Sequence, residues 1–160
     1  MQPNLERMLA LVDEVFATRN DTTQLQVNEE VIARLGRMHP STLAERADTE
    51  GPYAWILLIP TTIDLMNRFL KCEITEQHLY ELTPDHGPYE ALYMCSALVL
   101  PEYRRKGLAL QVTAQAIGSI MKDHPIKALF TWAFSKAGEK ATEKIALIAH
   151  LPLYKLVRQD

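Results

Sequence analysis

The sequence predicts an α/β (α+β) fold, a central mixed sheet flanked by helices with a helical amino-terminal region. Three observations carry that expectation. Apolar runs of strand length, at 55–59, 89–100 and 128–134, alternate with segments of helical period. Hydrophobic residues make up 48% of the chain and charged residues 23%, enough apolar matter for a buried sheet. The length of 160 residues suits one domain spanning 1–160.

Leu5, Met8, Leu9, Val12, Val15 and Phe16 recur at helical spacing and predict a helix near 4–17, ended by the turn-prone Asn20-Asp21. Asn28 caps a second helix; Glu29 and Glu30 suit its positive end and Val31, Ile32 and Leu35 face inward. Residues 38–53, with two prolines and many polar groups, read as mostly irregular, with a short helical turn around Thr42–Ala47. The run 55–59 is a buried strand stopped by Pro60. Thr61 or Thr62 caps a helix carrying Ile63, Met66, Phe69 and Leu70, and Thr75 caps another holding Leu79 and Leu82. The 84–88 segment, Pro-Asp-His-Gly-Pro, is a turn cluster.

The 89–100 run is a long strand closed by Pro101. Gly107 opens a helix to about Lys122 with the stripe Leu110, Ala114, Ile117, Ile120 and Met121. Strand 128–134 follows, then a helix over 137–149 with Ile145 and Ile148 inward, and a last strand at 153–157.

Lys plus Arg is 17 against 20 Asp plus Glu, a formal charge of −3. That balance gives no electrostatic case for nucleic acid or an anionic membrane as partner. The apolar runs are too short to span a bilayer, and the first residues carry no signal-peptide pattern. Cys72 and Cys95 form no CxxC pair and read as buried free thiols. The expected location is the cytoplasm. The five histidines show no metal-ligand spacing, so no metal is expected, and the Gly-Lys-Ser/Thr end of a nucleotide-hydrolase loop is absent. Gln77, Tyr80 and Tyr93 read either as the lining of a pocket or as packing residues.

One segment carries chemistry. Residues 99–109 read Val-Leu-Pro-Glu-Tyr-Arg-Arg-Lys-Gly-Leu-Ala: a buried strand, a proline, a basic loop and a helix start. A helix amino end presents unpaired N–H groups and partial positive charge, which suits a diphosphate. Gly107 leaves room for close approach of the backbone to phosphate, and Ala109 keeps the next turn narrow. Arg104, Arg105 and Lys106 stand at the dipole's unfavourable end, a conflict that a bound anion removes. Without an anion, the segment is a basic surface turn.

The pattern Arg104-x-x-Gly107-x-Ala109 after its strand resembles the acetyl-CoA signature of the GNAT superfamily of N-acetyltransferases, over roughly residues 91–135. The resemblance implies a GNAT-like sheet and an acetyl-CoA (or other acyl-CoA) co-substrate. Backbone N–H groups of Arg105, Lys106, Gly107, Leu108 and Ala109 would hold the pyrophosphate. The strand edge at Ala97, Leu98 and Val99 would bond the pantetheine arm in a slot splayed from strand 128–134. The Ala97 N–H would polarise the thioester carbonyl for direct attack by an amine.

The sequence also departs from the family. The position of a family glutamate base is Tyr93, a poor base at an ordinary pKa of about 10, so it either orients substrate or water or is a packed tyrosine. The helix after the next strand lacks the family's tyrosine acid; Tyr154 on the last strand either substitutes or packs, and Ser135 and Lys136 either touch the cofactor or are plain loop residues. The hairpin usual before the long strand is not evident. The expectation is thus an N-acetyltransferase acting on a small-molecule or peptide amine, its oligomeric state open, a homodimer included. The alternatives are a catalytically inactive CoA-binding sensor and an interaction protein that keeps only the fold.

Overall fold

Capping chemistry starts three of the six described α-helices. In the computed structural model, which describes residues 3–18, 25, 28–104, 106–133 and 136–157, helix α1 covers Pro3–Thr18 and α2 covers Glu29–Met38. The Asn28 side chain accepts from Val31 N–H (2.9 Å), as its sequence position predicts. Thr62, not Thr61, caps α3 (Ile63–Leu70) by accepting from Leu65 N–H. Thr75 and His78 form a capping box at the start of α4 (Glu76–Leu82). The turn-prone Asn20-Asp21 lies outside the described residues.

The segment expected to be irregular is a hairpin. Strand β1 (Leu43–Asp48) follows a single 3₁₀ turn at Pro40–Thr42 and pairs antiparallel with β2 (Gly51–Thr61) through a turn that puts Gly51 at φ 111°. Strand β1 forms one edge of the sheet and carries three charged residues, Glu45, Arg46 and Asp48, among its six, so it lacks the apolar signal of a central strand. Pro60 does not stop β2. Glu90 N–H donates to the Thr61 carbonyl, so Pro60 turns its nitrogen to the other edge, where β1 has already ended at its Leu43–Leu57 pair.

Strand β3 (Ala91–Val99) runs antiparallel to β2; β4 (Ala128–Ala133) and β5 (Leu153–Val157) continue the sheet in parallel. The order is β1-β2-β3-β4-β5, a mixed α/β sheet. Helix α5 (Leu108–Asp123) connects β3 to β4, and α6 (Lys136–Ala149) connects β4 to β5. The buried face of α5 is Val112, Thr113, Ala116, Ile117 and Ile120; Leu110 and Ala114 are half-buried and Met121 is exposed. Ile117 and Ile120 face inward as expected; with apolar residues on nearly every side of α5, periodicity alone does not fix the rest of the stripe. On α6, Ile145 is buried but Ile148 is exposed.

The thiols are not buried as expected: Cys72 is exposed and Cys95 half-buried, and neither is in a disulfide. Cys72 sits at φ 62° just past α3, where Cys72 N–H bonds the Phe69 carbonyl and Glu73 N–H the Arg68 carbonyl. That is a Schellman end, whose left-handed residue is set by the turn and not by packing. No described helix is long and apolar enough to cross a membrane.

Candidate functional site

The ladder between β3 and β4 holds three pairs, Ala91–Ala128, Leu92–Leu129 and Tyr93–Phe130, and then stops, although β3 continues for six residues. A bulge explains the divergence. Leu57 faces Ser96 and Leu58 faces Met94, so Cys95 is an extra residue on β3. A bulged strand bends and twists more strongly. The sheet therefore forks immediately after Tyr93, and one hydrogen bond, Thr131 Oγ1 to the Met94 carbonyl (3.0 Å), spans its root.

Register decides which groups face the gap. Leu100 N–H donates to the Tyr53 carbonyl (2.9 Å), so the alternate residues Leu98 and Ser96 are those whose backbone turns to β2. Ala97 and Val99 turn theirs to the opposite edge. Leu98 is thereby removed from the expected open edge and contributes only its half-buried side chain. Ala97 is exposed, and beyond Tyr93 no β3 residue pairs with a described residue of β4. Arg104 curls back to the same edge, its Nε donating to the Val99 carbonyl (2.8 Å).

Past the end of β3, a 3₁₀ turn at Pro101–Tyr103 leads into the basic loop. Glu102 does not neutralise that loop: it receives both terminal nitrogens of Arg7 on α1, which hold its carboxyl down at about 2. The Tyr103 hydroxyl donates to Asp48 at the hairpin turn, and the Tyr103 ring stacks on Tyr53 (4.1 Å, 7°). The loop is thus tied from behind by α1 and the hairpin. In front, Arg104 and Lys106 are exposed and neither is in an ion pair among the described residues. The Lys106 ammonium lies 5.8 Å from the Tyr103 ring centre. Arg105 lies outside the described residues, as does Ser135.

Gly107 is the N-cap of α5 at φ 73°, ψ 10°, a conformation that favours glycine. A Cβ built there would meet nothing within 4 Å. No side chain caps α5, whereas Asn28, Thr62 and Thr75 cap α2, α3 and α4. The first-turn N–H groups, at half-buried Leu108, Ala109 and Leu110, are left to whatever approaches from outside.

Tyr93 is 1% exposed, and its hydroxyl donates to Glu76 Oε2. Glu76, itself buried, also accepts from Leu25 N–H (2.7 Å). Tyr93 thus lies in the core at the fork root, packed on Phe69 and Phe130. The buried carboxylate was missed in sequence, where Glu76 reads as an ordinary first-turn helix residue. The faint signal was its place next to the Thr75 cap, which fixes the helix start but says nothing of depth. Of the proposed acceptor lining, Tyr80 is buried under Arg34 (4.7 Å to the ring centre) and Gln77 bonds Glu81 (3.1 Å). Tyr154 is exposed on β5.

No family model, curated protein or solved structure matches this chain. The functional reading therefore rests on the fork, the loop and the uncapped helix.

Proposed function

We propose that the chain binds acetyl-CoA, or a close acyl-CoA, across the fork and the α5 amino end, and passes the acyl group to an amine. The observation that carries this reading is the coincidence of two unsatisfied backbone surfaces at one end of β3. One is the strand edge at Ala97 and Val99, open except where Arg104 Nε holds the Val99 carbonyl; the other is an uncapped 16-residue helix behind an exposed Arg104 and Lys106. A diphosphate joined to an amide-bearing arm complements both at once: the phosphates meet N–H groups and cations, and the arm adds to the strand edge. The motif's resemblance to the acetyl-CoA signature adds to this reading.

The residues suit a direct transfer. The neutral amine attacks the thioester carbon; the carbonyl oxygen gains the negative charge, which the Ala97 N–H stabilises. Collapse breaks the C–S bond as the amide forms; the amine nitrogen releases its proton to solvent and the thiolate leaves. Tyr93, with its hydroxyl held by Glu76 in the core, is assigned to packing and not to proton transfer at the slot.

A second reading, a CoA-binding sensor without turnover, is favoured by that same burial, since it removes Tyr93, the residue at the family's glutamate position, from acid–base work. Thermal shift with acetyl-CoA, CoA and ATP tests binding. A ligand at one hundred times its dissociation constant adds about 2.7 kcal/mol. Acetyl-CoA and CoA are expected to raise Tm well above the effect of ATP; no shift at millimolar acetyl-CoA removes both readings. Thiol release against an amine panel then separates enzyme from sensor.

A further inference from the structure

We infer that the root of the β3–β4 fork is an acyl-length stop, with Trp132 as its limiting side chain, so that the slot takes two- or three-carbon acyl groups and rejects longer ones. This rests on the acyl-CoA reading above. On that reading the diphosphate lies at the α5 amino end, past the end of β3, so the arm runs back along the strand and its acyl group meets the root first.

The root is filled from two directions. Across the gap, Thr131 Oγ1 holds the Met94 carbonyl, and both residues are buried. On one face of the sheet, four rings pack against one another. Phe69 lies edge-on to Tyr93 (5.1 Å), Phe130 (5.7 Å) and Trp132 (6.4 Å), and Tyr93 tilts against Phe130 (5.0 Å). Phe69, Tyr93 and Phe130 are fully buried, whereas Trp132 is half-buried. Strand alternation puts Trp132 on the face of Phe130, two residues further towards the open end. Trp132 is therefore the outermost ring of the cluster and the first that a lengthening acyl chain reaches. Close-packed aromatic cores resist added methylenes.

The test is calorimetric binding of CoA, acetyl-, propionyl-, hexanoyl- and octanoyl-CoA to the full chain. The wild type is expected to bind acetyl- and propionyl-CoA alike and hexanoyl-CoA at least about tenfold more weakly than acetyl-CoA. In Trp132→Ala that preference should shrink to within about threefold. Trp132→Leu, which keeps an apolar side chain on the cluster, should give an intermediate preference and serves if the alanine variant does not fold. Equal wild-type affinity for hexanoyl- and acetyl-CoA overturns the stop, and so does an unchanged preference in a folded Trp132 variant. Failure of CoA and every thioester to bind overturns the acyl-CoA reading itself, a result distinct from either.

Discussion

Tyr93 and Glu76 form a buried polar contact in the core. The phenol and Leu25 N–H both donate to one carboxylate, which satisfies a group that burial would otherwise penalise. Tyr93→Phe keeps the ring and deletes a donor, so it should cost about 1–3 kcal/mol of stability in urea unfolding. Turnover with a true acceptor should barely change once the variant is folded; a large loss of turnover in the folded variant would return Tyr93 to the chemistry. His124 offers a pH probe. Burial holds its imidazole below the ordinary 6.5, with nearby His39 acting the same way and Asp123 opposing. Tyr89 N–H also donates to His124 Nδ1 (3.4 Å), which requires that nitrogen unprotonated. A depressed folded pKa in a base favours the neutral ring: its contribution is complete above 6.5 and is lost as pH falls through the lower folded value. Tm should therefore decline on acidification below 6.5, and His124→Asn should flatten that decline.

At the scale of the element, helix ends give the cleanest experiments. Cys72 occupies the left-handed position of the α3 Schellman end, and His150 (φ 57°) does the same after α6, where Leu151 N–H reaches the Ala146 carbonyl. Glycine adopts this conformation without the Cβ penalty. Cys72→Gly, at an exposed site, should raise stability by about 0.5–1 kcal/mol, measured as a shift in the denaturant midpoint at constant m. Gly107 presents the converse case. A side chain there meets no atom but must hold a positive φ. Gly107→Val should lose about 1–2 kcal/mol from strain alone, whereas asparagine tolerates the left-handed region. Gly107→Asn is therefore the better probe: it should stay folded while acetyl-CoA affinity falls at least about tenfold, because its side chain caps the N–H groups proposed to meet phosphate. Normal affinity in folded Gly107→Asn would count against the cradle.

At the scale of the molecule, the basic loop is mounted on the amino-terminal third of the chain. Arg7 of α1 grips Glu102, and Asp48 of the hairpin takes the Tyr103 hydroxyl. The Arg7 hydrogen bond depresses Glu102 to about 2, and the Tyr103 hydrogen bond lowers Asp48. For depressed carboxylates the stabilisation is present above the ordinary value near 4.5 and is lost as pH falls towards about 2. Both groups are solvent-exposed, so screening keeps the effect modest. Acid should loosen this mount before it unfolds the core. Amide exchange at Tyr103 and Arg104, whose N–H groups bond Leu100 and Pro101, should accelerate between pH 4.5 and about 2 relative to β2 amides, after correction for the intrinsic rate. Uniform protection across both regions would refute the mount.

The caps at Asn28, Thr62 and Thr75, the glycine that opens α5 and the bounds of β5 were legible because each depends on a few neighbouring residues: a side-chain oxygen near an N–H, a missing Cβ, an apolar run of strand length. The basic loop between strand and helix was legible for the same reason. The fork was not. Its cause is a one-residue bulge at Cys95, and a bulge is a mismatch between two strands that exists only once β3 meets β2. The hairpin strand β1 was hidden because an edge strand needs no continuous apolar face. Tyr93 read either as an orienting residue or as a packed tyrosine, and nothing local marked Glu76, until tertiary packing put them together in the core. Local backbone chemistry is written in adjacent residues, whereas the depth of a polar group and the point where a ladder breaks are set by partners distant in the chain.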